Sequence, residues 1–313
     1  MLKKGKDFLT LLDINGEELG EILDLSDKVK NKNLFKQELF QYKDILSGKN
    51  IGMIFEKPST RTRVSFEVAI NELSGNPLYL SSRDMQLKRG ETISDTAKTL
   101  SRYLDGIVIR AYSHKDVEEL ARNASIPVIN ALTDMYHPCQ GIADLFTIKE
   151  KKGKIENVKI GYLGDGNNVC HSLMLGSVMS KANIVIACPY GYEPEDEVYK
   201  TAKKIADEKG CKLTVTHDPK IAALDSDVIY TDVWVSMGQE ESREERENVF
   251  LPYQVNSEII SIAKDDVIFM HCLPAHRGEE VISEVIDGKN SVVFDQAENR
   301  LHTQIALLIY IWS

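Results

Sequence analysis

The chain has 313 residues, of which 42% are hydrophobic and 27% are charged. This length accommodates two domains with their own cores, and the composition is that of a globular protein rather than a disordered chain. The formal net charge of -10 excludes nucleic acid and anionic membranes as expected partners. A local cluster of cations would therefore have to hold any anionic ligand against the overall charge.

The start of the chain and its cysteines bear on where the protein resides. Met1–Asp7 is lysine-rich but no apolar run follows it, and no apolar stretch approaches transmembrane length, so we expect a cytoplasmic protein. The five cysteines are scattered without a C-x-x-C pair, which favours reduced thiols and predicts no zinc site. They are Cys139, Cys170, Cys188, Cys211 and Cys272.

The first half of the chain alternates between predicted helices and strands. Apolar residues at helical spacing predict an amphipathic helix over Glu17–Lys30, and His137-Pro138 is typical of a helix start. Short apolar runs predict four strands over Ile51–Phe55, Leu78–Leu80, Gly106–Ile109 and Ile126–Ile129. Such alternation indicates a parallel sheet built from βα units.

The second half repeats the pattern after a polar, lysine-rich segment, Lys149–Asn157, which predicts a domain boundary. Helices are predicted over Asn168–Lys181, Glu195–Lys209 and Asn299–Trp312. Strands are predicted over Val158–Leu163, Asn183–Ala187, Leu213–Val215, Val228–Thr231 and Val267–Met270. The expected fold class is α/β, with two domains that each contain a parallel β-sheet flanked by helices.

The segment Ser59-Thr60-Arg61-Thr62-Arg63 lies between a predicted strand and a predicted helix. Free backbone N–H groups and the helix dipole favour an anion at a helix start, and guanidinium groups bind phosphate oxygens in pairs. The alternative is that Ser59 or Thr60 merely caps the helix and the arginines are solvated. The strand context favours the anion site.

A turn of Gly164-Asp165-Gly166 after a strand raises the possibility of dinucleotide binding, which fails in detail. The third glycine of the G-x-G-x-x-G pattern would fall at Val169, and the next strand ends without a carboxylate for a ribose. A tight turn explains the glycines. It does not explain Asn167 and Asn168, two amides at the exposed end of a strand.

Other polar groups also follow predicted strands, where open α/β sheets bind ligands. Arg110, His137 and Gln140 add cationic and amide groups to the first half, whereas Asp232 and Cys272 follow strands of the second half. Taken singly, each is explained by a structural role such as a helix cap or a buried thiol. Together they indicate one half suited to an anion and another suited to an amine.

These motifs resemble those of the aspartate/ornithine carbamoyltransferase family. Ser59–Arg63 is similar to the family's carbamoyl-phosphate signature, Arg110 to its arginine after the third strand, and His137–Gln140 to its His-Pro-x-Gln element. Asp232–Gly238 and His271–Pro274 resemble the Asp…Ser-Met-Gly and His-Cys-Leu-Pro segments of the ornithine branch. The resemblance implies a carbamoyl-phosphate-binding domain (1–149), an ornithine-binding domain (150–295) and a C-terminal helix (296–313) that packs on the first domain. It places the active site in the interdomain cleft.

The implied reaction transfers the carbamoyl group of carbamoyl phosphate to the δ-amine of ornithine, giving citrulline and phosphate, with no cofactor or metal. In the family's pattern Arg110 and His137 donate to the carbonyl oxygen, Cys272 and the Leu273 carbonyl orient the amine, and Arg300 reaches carbamoyl phosphate. The implied catalytic residues are Cys272, Arg110 and His137. Those implied for carbamoyl phosphate are Ser59, Thr60, Arg61, Thr62, Gln86, Arg110, His137, Gln140, Cys272, Leu273 and Arg300. Those implied for ornithine are Asn168 (with Asn167 as the alternative), Asp232, Ser236 and Met237.

The loop around Gln86 resembles the family's segment that reaches into a neighbouring subunit's site, which implies a homotrimer, or a multiple of trimers, with shared active sites. Two alternatives remain open at this point. One is a carbamoyltransferase for a related amine such as putrescine, and the other is a non-catalytic phosphate-binding paralogue. The sequence also leaves open whether the reaction serves arginine biosynthesis or runs in reverse in arginine catabolism.

Overall fold

The computed structural model describes residues 5–32, 39–81, 85, 90–235 and 243–313. The chain divides into two compact units. Unit 1 comprises Met1–Phe146 and Glu298–Ser313, and unit 2 comprises Thr147–Ala297. Among the described residues each unit contains one sheet in which all strand pairs are parallel. The predicted fold class is confirmed.

Unit 1 is built on a sheet with the strand order β2-β1-β3-β4. Its strands are β1 (Asn50–Phe55), β2 (Asn76–Ser81), β3 (Gly106–Arg110) and β4 (Val128–Leu132). β1 and β3 are buried almost without interruption, as expected of parallel strands covered on both faces. Its helices are α1 (Gly16–Lys32), α2 (Thr60–Glu72), α3 (Ile93–Leu100), α4 (His114–Asn123), the start of α5 (Pro138–Lys152) and most of α12 (Val293–Trp312).

Unit 2 contains a sheet with the strand order β7-β6-β5-β8-β9. Its strands are β5 (Lys159–Leu163), β6 (Asn183–Ala187), β7 (Leu213–Thr216), β8 (Val228–Thr231) and β9 (Ile268–His271). The helices are α6 (Asn168–Met179), α7 (Asp196–Lys209), α8 (Pro219–Ala223), α9 (Arg243–Phe250), α10 (Ser257–Ser261) and α11 (Ser283–Ile286). Apolar side chains from β5, β8 and β9 pack with those of the short helices in one core.

The register of the strands brings functional loops to one edge of each sheet. In unit 1, Phe55 at the end of β1 pairs with Arg110, which in turn pairs with Leu132. In unit 2, Leu163 at the end of β5 pairs with Thr231, and Thr231 pairs with His271. The loops that follow these strands therefore start side by side, at the edge where parallel α/β sheets bind ligands.

The helix α12 returns the chain to unit 1 after unit 2. Gly106 at the start of β3 makes this possible, because a Cβ atom there would lie 2.4 Å from the ring of Trp312. A side chain at residue 106 would thus force the Trp312 ring to move.

The structure differs from the predicted elements in several places. β4 begins at Val128 rather than Ile126, because Pro127 has no N–H to donate to the sheet. α12 begins at Val293 rather than near Asn299, since a polar turn with Asp295 precedes its apolar face. The helices α4, α8, α9, α10 and α11 were not predicted. No helix among the described residues is long and apolar enough to cross a membrane.

Candidate active site

The first group of predicted residues gathers at the N-terminus of α2. Ser59 has extended backbone and its side chain accepts a hydrogen bond from the Thr62 N–H at 3.3 Å, so it is the N-cap. The capping role does not compete with anion binding, because the first-turn N–H groups have no partner one turn earlier and the helix dipole adds positive potential.

The two arginines of this turn have different surroundings. The Arg63 guanidinium stacks 3.9 Å from the centre of the Tyr79 ring, and its Nε lies 3.4 Å from Glu67. Arg61 instead lies close enough to His137 for its charge to lower the pKa of that imidazole. Of these two arginines, Arg61 is therefore the one whose charge acts on His137.

His137 is buried at the start of α5 among cations. Burial is the main cause that holds its pKa well below the ordinary value of 6.5, and the charges of Arg300, Arg110 and Arg61 lower that pKa further. The imidazole is therefore neutral at physiological pH. A neutral imidazole beside three guanidinium groups can donate one N–H to a ligand oxygen without adding another charge to be desolvated.

Arg300 on α12 joins two other elements of this group. Its Nη1 donates to Gln140 Oε1 at 2.7 Å, and its Nη2 donates to Thr62 Oγ1 at 3.3 Å. Gln140 in turn donates from Nε2 to the buried Asp144 at 2.8 Å, which fixes the orientation of its amide. Asp144 was not predicted as a site residue, although it lies four residues after Gln140 and so on the same helix face. These residues and Arg110 form the unit 1 half-site, defined as Ser59, Thr60, Arg61, Thr62, Arg110, His137, Gln140 and Arg300.

The second group centres on Asp232, a buried carboxylate directly after β8. Its Oδ1 accepts a hydrogen bond from the Cys272 thiol at 3.0 Å, and its Oδ2 accepts one from Asn167 Nδ2 at 2.9 Å. Three residues from the ends of three strands are thus held together. We define the unit 2 half-site as Asn167, Asn168, Asp232, Cys272 and Leu273.

The two asparagines have distinct positions at the start of α6. Asn167 is the N-cap, and its Oδ1 accepts from the N–H groups of Val169 at 3.0 Å and Cys170 at 3.1 Å. Because its Nδ2 donates to Asp232, both ends of this amide form hydrogen bonds within the protein. Asn168 is the first helical residue and is half-buried.

A chain of buried hydrogen bonds, which the sequence alone did not indicate, holds the segment after β9. The Leu273 N–H donates to His271 Nδ1 at 2.9 Å, so the proton of that ring resides on Nε2, which lies 3.1 Å from Glu280 Oε1. His271 and Glu280 are both fully buried. Leu273 has a positive φ of 58°, a conformation that costs about 1 kcal/mol for a residue with a side chain. These hydrogen bonds hold the Leu273 backbone in this conformation and so fix the direction of its carbonyl.

Three predicted residues, Gln86, Ser236 and Met237, lie outside the described residues. Cys272 and Leu273, expected near both substrates, belong to the unit 2 half-site. Of the cysteines, Cys272 is the most exposed, whereas the other four are buried. Burial raises the pKa of Cys139 to about 12, and this thiol donates to the Asn130 carbonyl instead of facing a ligand.

Two α/β units that each contain a parallel sheet, one with a cationic half-site and the other with a carboxylate and amides, define the class of a group-transfer enzyme with an anionic donor and an amine acceptor. Residues 6–150 match the model of the aspartate/ornithine carbamoyltransferase carbamoyl-P binding domain, and residues 156–311 match that of the Asp/Orn binding domain. The chain belongs to the aspartate/ornithine carbamoyltransferase family.

Individual relatives agree with this assignment. The chain is 56% identical over 307 residues to the ornithine carbamoyltransferase of Thermococcus kodakarensis, covering 98% of this chain and 96% of that protein. The structure of ornithine carbamoyltransferase from Pyrococcus furiosus superposes with a TM-score of 0.94 at 54% identity, covering 99% of this chain and 98% of that one. Anabolic ornithine carbamoyltransferase from Campylobacter jejuni superposes with a TM-score of 0.90 at 40% identity, covering 97% of each chain.

Proposed function

We propose that this protein is an ornithine carbamoyltransferase that transfers the carbamoyl group of carbamoyl phosphate to the δ-amine of L-ornithine, giving L-citrulline and phosphate. The observation that carries the proposal is the buried position of His137 among Arg61, Arg110 and Arg300, whose charges together with burial hold its pKa well below the ordinary value. Three fixed cations suit a phosphate dianion, and a neutral N–H donor suits a carbonyl oxygen that becomes charged during reaction. The names of curated relatives that are 55–56% identical to this chain support ornithine as the acceptor.

In this proposal the unit 1 half-site binds carbamoyl phosphate. Arg61 and the backbone N–H groups of Ser59–Thr62 hold the phosphate, and Arg110 and His137 donate to the carbonyl oxygen of the carbamoyl group. The oxyanion of the tetrahedral intermediate then forms where donors already lie, which lowers the barrier without reorganisation. Gln140 aligns the carbamoyl NH2, and the Gln140–Arg300 bond at 2.7 Å supports a shared position for both side chains at the ligand.

The unit 2 half-site binds ornithine. Asp232 and Asn168 hold the α-amino and α-carboxylate groups, together with Ser236 and Met237 as the family pattern implies. The internal bonds of the Asn167 side chain support Asn168 as the asparagine that contacts the substrate. The Cys272 thiol, positioned 3.0 Å from Asp232, and the Leu273 carbonyl then orient the δ-amine.

The acceptor amine must attack in its uncharged form, although an alkylamine has a pKa of about 10.4 in water. Desolvation and the neighbouring guanidinium groups favour the neutral amine, because both disfavour an additional positive charge. Attack on the carbonyl carbon forms the C–N bond, collapse of the intermediate breaks the C–O bond to phosphate, and the departing phosphate accepts the amine proton. No covalent thiol intermediate is required, since direct transfer between two bound substrates gains its rate from proximity.

A colorimetric citrulline assay tests the proposal with ornithine, putrescine and aspartate as parallel acceptors and carbamoyl phosphate as donor. Carbamoylation of ornithine with at least 100-fold preference over the other two supports it. A preference for putrescine would assign the related activity instead, and no product with any acceptor would indicate a phosphate-binding protein. The relative from Pyrococcus furiosus named anabolic favours citrulline synthesis, and hence arginine biosynthesis, as the direction in the cell.

We also propose that the protein is a cytoplasmic homotrimer, or a multiple of trimers, with shared active sites. Large apolar side chains on α2 and on the edge strand β2 support a subunit contact beside the unit 1 half-site. Val64 is 52% exposed, Tyr79 is 40% exposed, and Leu78 is 38% exposed. Five free cysteines fit a reducing compartment.

Native mass spectrometry tests the trimer, and subunit mixing tests the shared site. Gln86→Ala and Cys272→Ala would each abolish activity alone. Hybrid trimers that contain both variants should regain part of the wild-type activity, because some sites then receive both wild-type residues. A mixture as inactive as its components, with hybrid formation demonstrated by mass, would contradict shared sites.

A further inference from the structure

Arg246 is a buried cation that the mechanism above does not use. It lies on α9, where the neighbouring charged residues Arg243, Glu244 and Glu245 are exposed, yet only 7% of Arg246 is accessible. A buried guanidinium is costly unless its donors are satisfied, so its contacts identify what it holds in place.

The contacts of Arg246 involve two different loops. Its Nη2 forms an ion pair with the Asp165 carboxylate, and its Nε donates to the Trp234 carbonyl at 2.6 Å. Two rings cover the guanidinium group, Tyr192 at 4.8 Å and Phe250 at 5.1 Å from its central carbon. Its position is therefore fixed by charge, hydrogen bonding and stacking at once.

Both loops belong to the unit 2 half-site. The Asp165 carbonyl accepts from the Asn167 N–H at 2.8 Å, so Asp165 lies in the turn that places Asn167 and Asn168. Trp234 lies two residues after Asp232. The direct bond between Asn167 and Asp232, at 2.9 Å, joins the same two loops at the ligand edge. Arg246 joins the same two loops a second time, through Asp165 and Trp234.

The charges determine which carboxylate pairs with Arg246 and which one is left for the substrate. Asp165 is a second buried carboxylate, and the nearby Asp232 adds to the cost of ionising it. Burial raises the pKa of Asp165 to about 6, while Arg246 acts in the opposite direction. The guanidinium group thus keeps Asp165 ionised and the Gly164–Gly166 turn closed, and it leaves Asp232 as the carboxylate that faces the substrate amine.

We propose that Arg246 is a positioning residue for the acceptor amino acid: it clamps the Asp165 turn to the Asp232–Trp234 segment so that Asn168 and Asp232 bind ornithine at the correct separation. This inference rests on the proposed function. The contacts of Arg246 described above are all with residues of unit 2, so its loss should raise the KM for ornithine without changing that for carbamoyl phosphate.

The test compares steady-state kinetics of the full-length wild type, Arg246→Gln, Arg246→Lys and Asp165→Asn. We expect Arg246→Gln to raise the KM for ornithine 10- to 100-fold and to change the KM for carbamoyl phosphate less than 2-fold. Arg246→Lys should show a smaller increase, because an ammonium group can reach Asp165 or the Trp234 carbonyl but lacks the planar fork that binds both.

Arg243→Gln on the same helix is the matched control, because Arg243 is exposed and pairs with Glu247 and Glu279. It should leave both KM values within 2-fold of wild type. A double-mutant cycle adds a measurement that general destabilisation does not mimic. The double variant Arg246→Gln/Asp165→Asn should bind ornithine no worse than Arg246→Gln alone, since both changes break one ion pair.

Urea unfolding of each variant excludes partial unfolding as the cause of altered kinetics. An unchanged KM for ornithine in Arg246→Gln, or equal increases for both substrates, would overturn the positioning role while leaving the proposed function intact. Additive effects in the double variant would also overturn it. A wild-type protein that forms no citrulline would overturn the proposed function and this inference together.

Discussion

The two arginines of the Ser59–Arg63 motif lie two residues apart and yet perform different tasks. Arg63 covers Tyr79 at the protein surface, where an exposed cation–π contact contributes about 0.5–1 kcal/mol. Arg61 lies with the other cations that act on His137. Within one turn of helix, one arginine thus belongs to the cationic group around His137 and the other to the packed surface.

Arg61→Gln should therefore lower kcat/KM for carbamoyl phosphate by about 2–3 kcal/mol in transition-state binding, because it removes a charge-assisted contact with the phosphate. Arg63→Gln is the matched control and should change kcat/KM less than about 3-fold. Steady-state kinetics with carbamoyl phosphate varied at saturating ornithine provides the measurement. Equal losses in both variants would assign the effect to the helix start rather than to the ligand contact.

The depressed pKa of His137 predicts a pH dependence of stability. The folded protein keeps this imidazole neutral, whereas the unfolded chain takes up a proton below its ordinary pKa of 6.5. Stability from this group is therefore complete above pH 6.5 and is lost as the pH falls below it. The difference in unfolding free energy between wild type and His137→Gln should shrink by about 1 kcal/mol between pH 7.5 and 5.5.

Urea unfolding at several pH values measures this difference, and 15N NMR of labelled histidine reports the ring directly. We expect the ring nitrogens of His137 to show the neutral form at pH 6. A protonated ring at that pH would contradict the desolvated cationic environment assigned to it.

At the scale of elements, the half-sites are assembled by the turns that follow the strands, because these turns set where the site residues lie. In unit 2 the turn after β5 runs so close to the segment before α7 that a Cβ atom at Gly166 would lie 2.3 Å from Pro194 N and 2.4 Å from Glu193 C. Both are backbone atoms, which cannot rotate away. Glycine is therefore required here by close approach, and the approach fixes where α6 begins.

Gly166→Ala should destabilise the protein by about 1–3 kcal/mol and raise the KM for ornithine, because the start of α6 must move with Asn167 and Asn168. Gly20→Ala in α1 is the control. Nothing lies within 4 Å of a Cβ atom at that position, so alanine should stabilise the helix by about 0.5–1 kcal/mol. Thermal unfolding and ornithine kinetics together test both variants. Unchanged kinetics in Gly166→Ala would show that the turn tolerates displacement.

How well an element of this structure could be predicted depends on whether its interactions are local in sequence or are formed only by folding. Buried strands are continuous apolar runs, so β1, β3, β5, β6 and β8 could be located from local sequence alone. Short helices such as α8 and α11 have too few turns to show a period, and they form because they cover one side of the unit 2 core. Motif residues such as Asp232 were evident from their position after strands. Arg246, Asp144 and Glu280 were not, because their roles depend on partners brought near by folding.

At the scale of the whole molecule, unit 1 consists of two separate stretches of chain with unit 2 between them. The second stretch contributes a packing contact to the sheet and a side chain to the unit 1 half-site. Trp312 packs over Gly106 in β3, and Arg300 binds Gln140 and Thr62. The unit 1 half-site is therefore complete only when α12 is in place.

A chain that ends at residue 297 should lose carbamoyl phosphate binding and the cooperative unfolding of unit 1, because a buried helix face and the Arg300 contacts are removed together. Arg300→Gln in the full chain separates the two effects: it should weaken carbamoyl phosphate binding while unfolding remains cooperative. Isothermal titration calorimetry and circular dichroism measure these properties. Normal carbamoyl phosphate binding by the truncated chain would contradict the role of α12.

The order of the segments also has a consequence for biosynthesis on the ribosome. Translation delivers all of unit 2 before the second stretch of unit 1, Glu298–Ser313, so unit 2 is able to fold while the unit 1 half-site still lacks Arg300. A purified chain that ends at residue 297 should already resist protease within residues 150–290 yet fail to bind carbamoyl phosphate. Catalytic competence would then arrive in a single late step of synthesis.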